Sequence, residues 1–394
     1  MQATQSRNYG LSEQDCQAYF PDLYKEIDRA VEYRNAVGKI TLDELDVSWR
    51  ADGVLRGMIH DNQLYIIDAH GVCDHNHRPR TMATLHAINR AVTASVEPLP
   101  DIEFTFVDHD TALLDDDDNH TTWAYSRLAN QESLWLMPDF GFWAWPEYGM
   151  RSYSELQANL DETEEHLLDK APQIVWRGGT KAGFGGHARE GLLKHSTGQS
   201  WSAVEMIDWA NRTDVSHKLI TMAEHCGYMF AAHTEGDTYS GRLKYLLNCH
   251  SVLLSHELHW IEHFHHLLDP GPGPGQNYVR VEPDFADLPE KMESLLLPSS
   301  REMIEAITDN ARGTFRNRYL TPAAEACYWR ALARGWARVQ GFEPQVWEDG
   351  EQVQVDYRGG MLFKKKRRGV PFEAYVITEA VEWEVPAVGR SSCR

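Results

Sequence analysis

Three short stretches of the chain combine residue types that can bind an anion and move a proton. The stretch HTEGDTYSGRLKYLLNCHSVLLSHE (His233 to Glu257) opens with small polar residues, turns into an amphipathic helix pattern carrying Arg242 and Lys244, and closes in an apolar run that reads as a buried strand. Gly236, Asp237, Thr238, Tyr239 and Ser240 precede the helix pattern, so Ser240 or Thr238 is expected to cap it. Free amides, the positive end of the helix dipole and an Arg fork then suit a diphosphate. The plainer reading is an ordinary capped helix with a solvated Arg.

The second stretch is WRGGTKAGFGGHARE, Trp176 to Glu190. A strand delivers Arg177 to its carboxyl end, glycines let backbone approach a ligand, and Lys181 and Arg189 add positive charge; ligands of open α/β sheets sit at such strand ends. The spacing is neither GxGxxG nor a Walker loop, so taken alone a flexible glycine loop with surface cations fits equally.

The third is VDHD, Val107 to Asp110, at the end of the apolar run IEFTFV. Alternation puts Asp108 and Asp110 on one side of the strand. Two carboxylates there can carry a divalent metal, one can act as general base, or both can be solvated; the residues leave all three open. DDDD (Asp115 to Asp118) reads as a solvated loop. HELHWIEHFHH (His256 to His266) sets His259 and His263 four apart on an expected helix, but the glutamate follows the wrong histidine for HExxH, and a histidine-rich helix surface is the plainer reading. PDFGFWAWPE (Pro138 to Glu147) offers Phe140, Phe142, Trp143, Trp145 and Pro146 for stacking on sugar faces, Phe142, Trp143 and Trp145 foremost, although core packing accounts for most of its rings. FKKKRR (Phe363 to Arg368) is assigned no role.

The elements that must position these residues follow from periodicity. Ser12 to about Ala36 and Thr81 to Val96 read as helices, Val47 to Ala69 as short strands, and Ile102 to Asp110 as a strand ending in acids. From Ile174 onward, strands alternate with helices, which predicts a parallel sheet with crossover connections and a Rossmann-type second half beginning near residue 170. Glu302 to Gln340 is expected to be helical, followed by a mixed tail.

With 394 residues, 42% of them hydrophobic and 13 Trp, 13 Phe and 16 Tyr among them, the chain can fill two cores. A net charge of −21 argues against a nucleic-acid or anionic-membrane surface, so any anion must be gripped locally. Six cysteines without a CxxC pair point to neither a zinc ribbon nor a thioredoxin-type site. No stretch approaches ~18 uninterrupted apolar residues, and the first residues lack the basic and apolar halves of a signal peptide, so a soluble chain is expected, with room for an anchor on a longer precursor.

Taken together, WRGG, then AEHCGYMFAAHTEGDTYSGRLKYLLNCHSVLLSHELHWIEHF, then ARGTFRNRYLTPAAEACYW resemble glycosyltransferase family 90, which includes protein O-glucosyltransferases of the Rumi type and fungal capsule-associated xylosyltransferase-like proteins. PDFGFWAWPE resembles the fungal branch. The similarity covers about Ile102 to Trp329. It implies an α/β fold of GT-B type, with two Rossmann-like domains facing a central cleft: residues 1–170 on the acceptor side, 171–345 holding the UDP-sugar donor, and 346–394 as a tail. It also implies metal-independent transfer of xylose or glucose to a glycan or glycoprotein hydroxyl, with inversion at the anomeric carbon. Carried over by position, Arg177, Gly178 and Thr180 meet the UDP-sugar, Asp237, Thr238, Tyr239, Ser240 and Arg242 hold its diphosphate, and Asp110 is the base with Asp108 its rival. His109 stands where the glucosyltransferases have Arg. Cys226 and Cys249 occupy positions that form a disulfide in the family, and Cys327 matches the Cys of its CYW motif, which implies the secretory pathway, Golgi or ER lumen. The rival functions are a UDP- or glycan-binding protein that no longer transfers sugar, and a metal-dependent enzyme using VDHD or the histidine segment.

Overall fold

The computed structural model describes residues 5–112, 114, 119–145, 152–181, 183–348, 352–354, 361–363, 366–379 and 381. Asp115 to Asp118, the end of the aromatic loop from residue 146, and two lysines of FKKKRR lie outside the described residues.

The first half is built on a hairpin. β1 (Val54–His60) and β2 (Gln63–His70) pair antiparallel. Asp61 and Asn62 between them both have positive φ (48° and 56°), the left-handed turn that Asp and Asn tolerate. β1 also pairs antiparallel with β3 (Ile102–Val107), and β3 is followed in parallel by β4 (Trp123–Ala124) and β5 (Trp135–Leu136). This sheet is therefore mixed, unlike the second. Every residue of β3 is buried, including Glu103, which is neutralised by Arg56 (2.5 Å) and Arg368 (2.7 Å). The strand Val370–Pro371 extends the sheet beside β2, so the tail is part of this layer.

Helices α1 (Glu13–Tyr19), α2 (Lys25–Val37) and α3 (His77–Thr93) belong to this half. The expected single helix over 12–36 is broken where Pro21 stands between α1 and α2.

The second sheet is fully parallel. β6 (Ala171–Gly178) lies between β7 (Ser202–Met206) and β8 (Tyr228–His233), followed by β9 (Val252–Ser255) and β10 (Val279–Arg280). α4 (Tyr153–Thr163) precedes it; α5 (Gly186–Ser196), α6 (Arg212–Lys218), α7 (Met222–His225) and α8 (Leu243–Leu246) lie in its crossovers. α9 (Leu288–Leu295) and α10 (Arg301–Ala311) follow. Ile174, Trp176, Phe230, Val252 and Leu254 fill one core with Leu192 of α5 and Leu288 of α9.

Beyond α10 the helix runs as a π-helix over Arg312–Tyr319, breaks at Leu320 and Thr321, and resumes as α11 (Pro322–Val339). α11 then packs on α2 and α3, bringing the chain back to the first sheet. Trp336 presents its edge to Trp123 and Trp135 there, and its Nε1–H donates to the Glu103 carbonyl at 2.9 Å. A Cys16–Cys327 disulfide ties α1 to α11, and α12 (Phe372–Thr378) closes over α3. A Cys226–Cys249 disulfide joins the end of α7 to the turn after α8, the pairing that the resemblance implied.

Two expectations are corrected. The helix beginning at Arg242 is one turn long, and neither Ser240 nor Thr238 caps it; Arg242 itself is the N-cap, without a side-chain cap bond. Burial explains the shortening: Asn248 Nδ2 donates to the Lys244 carbonyl (2.6 Å) and to Tyr153 Oη (2.8 Å), so side chains replace the helical ladder. HELHWIEHFHH forms no α-helix, only a short 3-10 turn at His265–Leu267. Its backbone is claimed elsewhere, since Arg127 and Ile261 exchange two backbone bonds and Glu235 Oε1 accepts from the amides of His259 (2.8 Å) and Trp260 (2.7 Å).

Candidate active site

The carboxyl ends of β6 and β8 open onto a cleft of about 220 Å³. The second sheet contributes Gly178, Gly179, Lys181, Arg189, Trp209, Gly236, Asp237 and residues 239–242; the first half contributes Arg80, Asp110, Phe140 and Trp145. Carboxylate and cations thus meet across a space bounded by both halves.

Two glycine-rich loops form the floor by backbone contact. The Gly185 amide donates to the Gly236 carbonyl at 2.7 Å, and a Cβ at Gly185 would run into the Glu235 carbonyl, so this approach requires glycine. Asp237 Oδ1 accepts from the Gly183 amide at 2.5 Å. Arg189 is fixed beside them, its Nε donating to the Glu235 carbonyl (2.9 Å) and Nη1 to the Gly179 carbonyl (2.9 Å). Burial lowers its pKa, against the pull of Asp237. The guanidinium carbons of Arg189 and Arg242 each lie 5.9 Å from the Trp176 ring, so one indole supports both cations.

Opposite them stands Asp110, just past the end of β3. Its Oδ1 accepts from Arg80 of α3 at 2.8 Å, and its side chain is 41% exposed. Arg80 lies over the Phe140 ring at 4.9 Å. Burial opposes its charge, but Asp110 with Tyr239 and Tyr125 outweighs burial, and its pKa is raised. The Asp110 carbonyl accepts from Ser126 Oγ (3.0 Å) and, from the second half, from Thr238 Oγ1 (3.1 Å). Tyr239 and Ser240 line the cleft beside Arg242.

The other expected residues lie elsewhere. Asp108 faces α3, as Asp110 does, but is wholly buried: His77 Nδ1 lies 2.7 Å from Oδ1, Thr81 Oγ1 donates to Oδ2, and the carboxylate does not line the cleft. Arg177 also turns away, because successive side chains of a strand alternate. It donates to the carbonyls of Trp176, Ala203 and Lys218 and pairs with Glu205 at 3.4 Å. Thr180 points at Met206. Of the aromatic loop's described residues, Phe140 and Trp145 reach the cleft. Phe142 is buried in the second-half core; Trp143 stacks on His86 (5.2 Å between rings) and under Arg90, beside a separate cavity with Tyr9.

Arg80 and Trp209 carry no local sequence signal; only the fold brings them in. Among the described residues two groups have metal-ligand character, Asp52–His77–His109 and Glu235–His256–His259, and neither lines the cleft. The second group is internally satisfied: His256 Nε2 accepts from the Glu235 amide (3.2 Å), and its Nδ1 lies 2.7 Å from the Glu257 carbonyl.

A parallel α/β sheet whose strand ends present cations to a carboxylate across a cleft is built to hold an anionic ligand where a proton can be moved. A model of glycosyl transferase family 90 matches residues 12–370, and the chain belongs to that family. It is also similar to an O-glucosyltransferase rumi homolog of Anopheles gambiae, 28% identical over 122 residues, which cover 30% of this chain and 29% of that protein. The disulfides fit an oxidising compartment, and no helix among the described residues is long and apolar enough to cross a membrane.

Proposed function

We propose that this chain is an inverting glycosyltransferase that takes a UDP-sugar in the cleft and passes xylose or glucose to a hydroxyl of a glycan or glycoprotein, without a metal. The two sheets are then the halves of a GT-B arrangement, donor on the parallel sheet and acceptor on the other, and the enzyme works in the secretory pathway. The observation that carries this reading is the position of Asp110 across one cleft from Arg189, Arg242 and Lys181. The similar rumi homolog, named an O-glucosyltransferase, supports glucose among the donors.

In the proposed reaction the acceptor oxygen attacks the anomeric carbon on the face opposite UDP, and Asp110 takes the hydroxyl proton. A carboxylate is too weak a base to ionise a free alcohol beforehand, so proton transfer is concerted with bond formation. The bond from the anomeric carbon to the diphosphate oxygen breaks, and its electron pair leaves with UDP. Arg189, Arg242 and Lys181 offset the growing charge, the role a divalent ion fills in metal-dependent transferases. Arg80 keeps the Asp110 carboxylate in place. In the family's Arg-Asp pair the arginine adjoins the aspartate in sequence; here His109 fills that position and Arg80 comes from α3 instead.

The test is incubation of the full chain with UDP-glucose and UDP-xylose in EDTA, following release of sugar to water by proton NMR. Inversion predicts that the β-anomer appears first; α-anomer first, or release only when magnesium or manganese is added, contradicts the proposal.

A further inference from the structure

Beside Asp108, Asp52, His77 and His109 present ligand atoms that all lie within 4.8 Å of one another. They come from three pieces of chain: the loop before β1, the start of α3, and the segment after β3. We propose that this triad binds a divalent transition ion of the zinc class, clamping the segment that carries Asp110.

His77 is 8% exposed, and its Nδ1 is committed to the Asp108 carboxylate at 2.7 Å, which leaves Nε2 as the nitrogen that carries the lone pair of the neutral ring. A buried carboxylate behind a histidine is the outer partner that metal-bound imidazoles have, because it fixes tautomer and ring orientation. Asp108 is itself held by Thr81 Oγ1 and by its amide, which donates to the Gly53 carbonyl at 2.9 Å. The rings of His77 and His109 are 4.3 Å apart, and His109 Nε2 lies 3.1 Å from Asp52 Oδ1. Gly53 has φ +60°, and a Cβ there would strike both Asp108 and His109, so glycine permits the convergence.

Charge agrees with a cation: Asp52 and Asp108 face Arg50, 3.8 Å from Asp52, while Arg80 reaches the backbone carbonyl of Asp108 (3.3 Å) and pairs with Asp110. The Asp52 side chain is 56% exposed, so the site opens to solvent and a water can complete a tetrahedral set. Two imidazoles and one carboxylate favour zinc, cobalt or nickel over magnesium or calcium, which take oxygen donors. The Glu235 group has the same donor types, but both ring nitrogens of its His256 are already engaged, so an ion there would have to break those bonds.

The experiment uses the full chain stripped with EDTA and dialysed, then titrated with zinc, cobalt or magnesium chloride. Zinc is expected to raise the thermal midpoint by about 2 °C or more while magnesium does not, and cobalt to give the visible absorption of a four-coordinate ion. Asp52→Asn and His109→Ala should each remove the zinc-induced increment, read against the variant's own metal-free midpoint so that any loss of basal stability cancels. His259→Ala should keep it. No increment in the wild type, or one that survives Asp52→Asn and His109→Ala, overturns the proposal, and loss in His259→Ala assigns the ion to the other cluster.

Discussion

Replacing Asp110 with Asn keeps the side chain's shape but removes the proton acceptor, so turnover should fall by at least ~10²-fold while UDP affinity is spared. Steady-state kinetics with a UDP-binding control checks this, and near-normal turnover would remove Asp110 from the role. Asp108→Ala should act differently: it strips a partner from buried His77 and Thr81, and urea unfolding should show a loss of about 2 kcal/mol or more. Arg189→Ala and Arg242→Ala should weaken UDP, whereas Arg177→Ala should cost stability instead, because its guanidinium serves the back of the sheet. At this scale the sequence singled out stretches that the fold brings together, since Asp110, Gly236, Asp237, Tyr239, Ser240 and Arg242 all line one cleft. It was uninformative about direction: whether Arg177 or its neighbour faces the ligand depends on strand register, and Arg80 is 30 positions from its partner.

Among the elements, the alternation from Ile174 onward correctly predicted a parallel sheet, because fully buried strands leave continuous apolar runs. The first half was harder to read, since its hairpin pairs antiparallel and its short strands β4 and β5 hold two residues each. The helices expected at Arg242 and in the histidine segment fail for one reason, the capture of backbone groups by buried side chains: Asn248 takes the Lys244 carbonyl four positions back, and Glu235 takes the His259 amide from 24 positions away. The turn around α8 is instead held by the Cys226–Cys249 disulfide, which spans 23 residues; removing it should cost about 3 kcal/mol in chemical unfolding. His225 beside it is buried, and burial first, then Arg242, lowers its pKa to about 4. The unfolded ring titrates near ~6.5, so the stability this neutral histidine represents is present above that pH and is lost as pH falls toward 4, by up to about 3 kcal/mol. His233 and His263 shift in the same direction through burial. Urea midpoints between pH 7 and 4 should fall, and His225→Gln should flatten the slope; an unchanged slope would remove His225 from the account.

Across the whole molecule, a net charge of −21 coexists with a cleft that gathers Arg80, Lys181, Arg189 and Arg242. The acidic surface turns polyanions away, while a small anion within a Debye length of the cleft meets local positive charge. The return of α11 to the first sheet and the addition of the tail strand to β2 mean that residues far along the chain stabilise the half carrying Asp110. Such long-range closure leaves no periodic signal in the sequence. The central claim, a metal-free diphosphate site on the parallel sheet, is tested most directly by thermal unfolding in EDTA with and without millimolar UDP, for the wild type and Arg242→Ala. At ~100 times Kd, UDP adds ~2.7 kcal/mol, enough to move the midpoint visibly. The account predicts a rise in the wild type that is lost in Arg242→Ala; no rise in EDTA, or an equal rise in both proteins, would contradict it.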